Sequence, residues 1–490
     1  MVFLKTVGSI TWILFVLNFT FSSAFFRLEE FYRQRWLEEH ISKDDLSYGS
    51  SEDRYFVQRL DHFDPFNEKT WLQRYWVNST FHKKGGPAFL LINGESQAAE
   101  KFNKYQWKKY AQKFNATFFS LEHRFYGRSV PNNDTSTQNL VYLKSQQALA
   151  DIANFIGGVA NQYNIPNDTK WIVLGCSYAG SLAAWVRLKY PHLVHGAVSS
   201  SAPLLAKENF LEYYKVVRES LDSISIKPNC SGKVAEANEE LGRLIQSDEG
   251  RGQVKEQFRL CFQVDNNMES ISTLFSGPLN LLAYAVQYGY KRDIESFCNI
   301  MTSSNASALE LYAKAMRSQL EKKHTNCWNN RYSDGIKNLK STNKGPEDFL
   351  RQWTYQLCTE FGWYQTSNTR KSSDSTGAYI PVEYFIKKCE DIFGPKFNGL
   401  LLNRTVYETN NLYGGLKINV GNIVFTHGSI DPWHSIGITP AIPHAPNQTI
   451  IYIQGASHCE DISVPKNNTN PDVKKAQEEI ANTLQSWLQN

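Results

Sequence analysis

A chain of 490 residues is long enough for roughly three domains and a large buried core. With 41% hydrophobic and 20% charged residues and a mean hydropathy of −0.44, it is neither a multi-span membrane protein nor a disordered chain. Acids and bases nearly cancel (52 Lys+Arg against 48 Asp+Glu, net +4) and are interspersed, which argues against a dedicated nucleic-acid binder. The first element is a leader. Residues 1–24 hold one basic residue, Lys5, an apolar stretch over 7–21, and Ser22-Ser-Ala24 with small residues where a signal peptidase cuts. Cleavage after Ala24 would leave 466 residues, and no later run of about 18 apolar residues offers a membrane span. Nine glycosylation sequons follow, at Asn78, Asn115, Asn133, Asn167, Asn229, Asn305, Asn403, Asn447 and Asn467. Together they point to the secretory pathway, with an extracellular or lysosomal destination.

Further along, short apolar runs alternate with helical spacing. Residues 88–92, 117–121, 171–174 and 196–200 read as buried strands, and 145–159 and 181–190 as helices. Buried strands alternating with helices predict a parallel sheet covered on both faces. From about 204 to 381 the texture turns helical, for example over 234–245, 280–288 and 306–322, and six of the eight cysteines fall between 230 and 389. Strand-like runs return at 422–425 and 449–453, and a helix over 471–488 ends the chain. The pattern predicts an α/β domain made of 52–204 and 385–490, interrupted by a mainly helical, disulfide-braced lid over 205–384.

The chemistry gathers at Gly175-Cys-Ser-Tyr-Ala-Gly180, between a strand and a helix. A tight strand–turn–helix exposes a serine hydroxyl on a crowded, strained elbow and needs small neighbours there. Gly175 and Ala179 supply them, although the usual last position is glycine and here Gly180 comes one residue late. Such a nucleophile needs a base and an acid, in the chain order serine, acid, histidine. Asp431 follows the strand at 422–425, 254 residues after Ser177, and His458 follows the strand at 449–453, 27 residues further on. Ser177, Asp431 and His458 therefore form the expected triad. His427 and His434 are weaker candidates for the base because they precede or abut the acid. The expected oxyanion donors are the backbone N–H of Tyr178 and one from Gly94 or Glu95, in the turn after residues 88–92. No metal or phosphate-binding signature occurs, so neither metal nor cofactor is expected.

Six stretches together carry a resemblance. Arg59-Leu-Asp-His-Phe63, Glu122-His-Arg-Phe-Tyr-Gly127, Gly175 to Trp185, Ser199-Ser-Ser-Ala-Pro203, Cys358-Thr-Glu-Phe-Gly362 and Asp431-Pro-Trp433 are similar to the serine carboxypeptidase-type peptidases. That family includes lysosomal Pro-X carboxypeptidase, dipeptidyl peptidase II and thymus-specific serine protease. The match runs from about residue 52 to the C-terminus, and Tyr178 to Trp185 with Ser457-His-Cys459 look most like the thymus-specific branch. The resemblance implies an α/β-hydrolase fold with a helical lid inserted after the strand that follows the nucleophile helix. It also implies a peptidase that works through an acyl-enzyme, acting as a carboxypeptidase or dipeptidyl-peptidase on peptides with proline at P1. A proline ring suits a small aromatic-lined pocket, for which Trp433, Trp363, Tyr364 and Tyr178 are candidate walls. A homodimer is left open. The resemblance further implies the disulfides Cys230–Cys298, Cys261–Cys327 and Cys358–Cys389. Cys176 and Cys459 are left over, each beside a triad residue, either as buried free thiols or as a bridge if their Cα atoms lie within about 7 Å. Two other functions share the fold, a lipase or carboxylesterase and a non-catalytic binding protein. The intact triad residues count against the second.

Overall fold

The computed structural model of the chain describes residues 52–98, 105–225, 229–322, 325–342, 345–367 and 379–489. The expected leader, residues 1–24, lies outside the described residues. Among the described residues there are ten strands: β1 (Arg54–Arg59), β2 (Thr70–Asn78), β3 (Ala88–Ile92), β4 (Thr117–Leu121), β5 (Trp171–Cys176), β6 (Gly196–Ser200), β7 (Lys207–Asn209), β8 (Gly362–Tyr364), β9 (Ile423–Gly428) and β10 (Gln448–Ile453). Eight of them form one sheet in the order β1-β2-β4-β3-β5-β6-β9-β10. Pairs from β4 through β10 run parallel, and β1 and β2 add an antiparallel edge. The interior strands are apolar on both sides because helices cover both faces: every residue of β3, β4, β6 and β9 is buried. This is the α/β-hydrolase fold.

The chain between β6 and β9 is largely helical, as its spacing predicted. Helices span Glu212–Ile224, Cys230–Leu244, Asp248–Phe258, Met268–Gln287, Lys291–Met301, Ala308–Lys322, Tyr332–Lys340, Leu350–Gln356, Val382–Phe393 and Gly399–Tyr413. β7 and β8 pair with each other as a short parallel ribbon at its base. The expected border at 384/385 falls inside the helix Val382–Phe393, so that helix crosses it. Bridges join Cys230 to Cys298, Cys261 to Cys327 and Cys358 to Cys389, the three pairs the resemblance implied. The fourth, Cys176–Cys459, decides between the two readings left open for those residues: they are bonded, with Cα atoms 6.0 Å apart. All nine sequon asparagines lie on described residues. Asn78 and Asn115 are half-buried and the other seven are exposed.

The motifs that carried the resemblance mostly weld the inserted helices to the sheet. A π-helical turn at Leu357–Phe361 presents Glu360 to the first residue of the helix Ser145–Gln162. Its carboxylate accepts the Ser145 N–H at 2.9 and 3.0 Å and the Ser145 hydroxyl at 2.7 Å. A carboxylate at a helix N-terminus satisfies donors that the helix itself leaves free. Gln356 accepts the Tyr126 hydroxyl at 2.6 Å and donates to the Tyr178 hydroxyl at 2.9 Å. Trp185 stacks on Tyr413 at 4.1 Å.

Burial pushes the Glu360 carboxyl up to about 7, against the opposing pull of Ser145. A carboxyl whose folded value lies above its unfolded one holds its proton more tightly when folded. Its contribution to stability is complete below the ordinary value of 4.5 and is lost as pH rises through about 7. Replacing Glu360 with Gln is therefore expected to flatten the fall in urea midpoint between those two pH values. An unchanged pH profile would contradict this placement of the proton.

Candidate active site

The parallel register brings the C-terminal ends of the central strands into one row, with Cys176 beside Ser200 and Ser200 beside Thr426. Ser177 follows Cys176 with φ 60° and ψ −133°, backbone that a side chain adopts only under strain of order 1–3 kcal/mol. The elbow is held by its own N–H, which donates to the Ser200 carbonyl at 2.9 Å, and by close packing. A Cβ on Gly175 would overlap the Ala179 carbonyl, and one on Gly180 would lie 2.7 Å from the Ser200 carbonyl. The departure from the usual motif thus has a physical reading. Gly180 serves the approach of helix to strand. Ala179 faces Gly94, where a Cβ would lie 3.3 Å from the Ala179 nitrogen and 3.4 Å from its Cβ.

Asp431 and His458 stand on the loops after β9 and β10. His458 Nδ1 donates to Asp431 Oδ2 at 2.9 Å, with both side chains buried. Asp431 Oδ1 accepts the Trp433 N–H at 3.0 Å. Burial alone would raise the Asp431 carboxyl, but the His458 ring and its hydrogen bond outweigh that and hold it below the ordinary carboxylate value. Of His427, His434 and His458, it is His458 that hydrogen-bonds to the Asp431 carboxylate among the described residues. His427 lies buried on β9 with neither ring nitrogen hydrogen-bonded, and burial drives it down to about 4, so it stays neutral. His434 Nδ1 likewise has no hydrogen-bond partner.

Ser177 and His458 line one cavity of about 140 Å³ together with Gly94, Glu95, Tyr105, Trp107 and Tyr288. The turn at 94–96, closed by Ser96 N–H to Gly94 O at 2.9 Å, thus stands beside the elbow. The N–H of Tyr178 opens the helix Tyr178–Lys189 with no intrahelical acceptor. The Tyr178 side chain points elsewhere: it is buried, hydrogen-bonded to His123 and Gln356, and forms no wall.

The other predicted walls differ in place. Trp433, Trp363 and Tyr364 line a second cavity of about 150 Å³, roofed by the inserted helices and shared with Trp353, Tyr384 and Lys388. The Trp433 ring, on the second cavity, lies 6.4 Å from the His458 ring, on the first. The aromatic edges of the cavity that holds Ser177 are instead Tyr105, Trp107 and Tyr288. Sequence reading missed them because the two segments that carry them, at 105–107 and 288, reach Ser177 only in the fold. It also missed Gln287, at the end of the helix Met268–Gln287. The Gln287 backbone carbonyl accepts the His458 N–H at 2.9 Å, while its Oε1 accepts the Trp433 indole at 3.0 Å and the Tyr213 hydroxyl at 2.6 Å. No local pattern marks such a residue.

Asp461, three residues after His458, is a second buried carboxylate near the base. It accepts the Ser200 hydroxyl at 2.5 Å and the Thr426 hydroxyl at 2.9 Å, and so fastens the histidine loop to the strand ends. The one group of metal-type donors among the described residues is His458 with Cys176 and Cys459, within 4.8 Å of one another, and the bridge occupies both sulfurs.

Set beside known proteins, residues 58–480 match the family model described as serine carboxypeptidase S28. Human thymus-specific serine protease is 32% identical over 89% of this chain and 86% of its own length. A Caenorhabditis elegans protein named as a serine protease is 33% identical over 88% of this chain and 87% of its own. Human lysosomal Pro-X carboxypeptidase is 28% identical over 83% of this chain and 82% of its own.

Proposed function

The chain belongs to the serine carboxypeptidase S28 family and is a serine-type peptidase acting on peptides, and on that footing we propose that it is an exopeptidase of the secretory pathway, working through an acyl-enzyme on Ser177 and preferring proline at P1. The observation that carries the proposal is the buried His458–Asp431 pair at 2.9 Å, opening with Ser177 into one cavity.

In this reading Ser177 Oγ attacks the scissile carbonyl while His458 Nε2 takes its proton. Asp431 holds the ring by Nδ1, fixing the tautomer, and stabilises the imidazolium that forms. The oxyanion is met by the Tyr178 N–H and by an N–H of the turn at Gly94 and Glu95. Collapse returns the proton from His458 to the leaving amine and leaves the acyl-enzyme, which water hydrolyses by the same steps in reverse order of groups. The inserted helices act as a lid that closes the cavity from above, with Gln287 joining lid to base. The aromatic edges of the cavity suit the flat face of a proline ring. The sequons and the expected leader support the secretory route, as does the name of one relative, lysosomal Pro-X carboxypeptidase. Among the described residues no helix is long and apolar enough to cross a membrane.

The test is a set of peptides differing only at P1, with free or blocked termini. Proline is expected to exceed phenylalanine at P1 by more than about tenfold in kcat/KM, the scale of discrimination a shaped pocket supplies. Blocking both termini is expected to stop cleavage. Equal rates with alanine, leucine and phenylalanine at P1 would remove the proline preference, and cleavage of the doubly blocked peptides would remove the exopeptidase reading.

A further inference from the structure

We infer that the Cys176–Cys459 disulfide positions the nucleophile and the base relative to each other, so that turnover requires this bridge to be closed. The inference rests on the Ser177–His458 reading above and adds a covalent element to it.

The bridge joins the residue immediately before Ser177 to the residue immediately after His458, across a sequence separation of 283. The other three bridges span separations of 68, 66 and 31 within the inserted region, and none of their cysteines lines the cavity at Ser177. Both Cys176 and Cys459 do line it, and Cys176 is partly exposed there. The two segments that it ties are each locally strained. Ser177 has φ 60°, and Cys459 has φ 57° in the left-handed region. Such backbone persists only where the surroundings over-determine it. The remaining anchors of the histidine loop do not reach the elbow residue itself. The His458 N–H is held by the inserted helix at Gln287, the Cys459 N–H by the Ser201 hydroxyl at 2.9 Å, and the Asp461 carboxylate by Ser200 and Thr426. Among the described residues the bridge is thus the one covalent tie between the segment of the nucleophile and that of the base, and a misplacement of about 1 Å in such a pair can cost about a hundredfold in rate.

A low-molecular-weight thiol can reach the bridge through the cavity that admits substrate. Dithiothreitol would open it by giving up two electrons and two protons, leaving Cys176 and Cys459 as thiols and itself as the cyclic disulfide. Oxidised glutathione would close it again, leaving as two reduced glutathiones.

The experiment compares kcat and KM of three forms of the full chain: oxidised, opened with graded dithiothreitol, and the Cys176→Ala/Cys459→Ala variant. After each assay a quenched sample is alkylated and peptide-mapped, to count open bridges pair by pair. The expected result is a loss of kcat of at least tenfold in step with the opening of this pair alone, with KM within twofold and recovery on addition of oxidised glutathione. A Cys261→Ala/Cys327→Ala variant should keep its kcat while melting at lower temperature, which separates positioning from general stabilisation. If the active-site double variant does not fold, the opened wild-type chain decides. A kcat within twofold of the oxidised enzyme once this pair is open overturns the inference. Failure of the underlying reading has another signature, activity retained by Ser177→Ala in the oxidised enzyme.

Discussion

Asp431→Asn is expected to lower kcat by about 10⁴ while leaving KM nearly unchanged, the scale seen when a triad acid keeps its shape but can no longer fix the histidine tautomer. The geometry leaves little room for a substitute. Asp431 is fully buried, its Oδ2 accepts a hydrogen bond from His458 Nδ1, and its Oδ1 is committed to the Trp433 N–H. An amide in that place can offer its N–H₂ to Nδ1 and turn the ring, so that Nε2 carries the proton and cannot accept one from Ser177. Asp461 provides the comparison. It is equally buried and close in sequence to His458, but its oxygens serve Ser200 and Thr426. Asp461→Asn is expected to cost less than about tenfold, because an amide can still accept one of those hydroxyls. Steady-state kinetics on a single good substrate separate the two. Comparable losses in both variants would mean that the carboxylates share the role.

Asp151→Ala is expected to destabilise the fold by about 3–5 kcal/mol, the cost of leaving a buried charge without its partner. Asp151 is 1% exposed and Arg124 is fully enclosed. The two form a forked pair, Arg124 Nε to Oδ2 at 2.6 Å and Nη2 to Oδ1 at 2.7 Å, and His62 meets Oδ1 at 2.7 Å. The guanidinium also donates to the carbonyls of Leu60 and Tyr142 at 3.1 and 2.9 Å. One ion pair therefore fastens the β1–β2 connection, the loop after β4 and the helix Ser145–Gln162. Urea denaturation reads the loss as a lower midpoint at constant slope. An apolar double replacement, Arg124→Met with Asp151→Leu, should be less destabilised than Asp151→Ala, because it removes both charges together. A single variant within about 1 kcal/mol of wild type would show that water enters and solvates the arginine.

The parts of this molecule that could be read before folding are those that local chemistry fixes. The runs at 88–92, 117–121 and 196–200 hold only apolar or small uncharged residues, so they matched β3, β4 and β6 to the residue. Ser177, Asp431 and His458 could be proposed as a triad because each follows a strand-like run, and strand ends fix loop positions. β1 and β2 escaped notice. They form an exposed edge on which Arg54, Tyr55, Val57 and Leu72 face outward, so the alternation that marks a half-buried strand is blurred. The three bridges in the inserted region came from resemblance, and the state of Cys176 and Cys459 waited on the distance between two loops. The cavity walls failed for a related reason. Trp433 was placed beside the acid by sequence, yet its indole turns to Gln287 and lines the other cavity, while Tyr105 and Tyr288 arrive at Ser177 from segments with no catalytic signature.

The most direct test of the whole account is covalent. An organophosphonate should be incubated with the oxidised wild-type chain, Ser177→Ala and Asp431→Asn, followed by intact mass and peptide mapping. A single adduct on Ser177 in the wild type, none in Ser177→Ala and far slower labelling in Asp431→Asn is the predicted result. Equal labelling of Ser177→Ala, or a wild-type adduct on another serine, would contradict it.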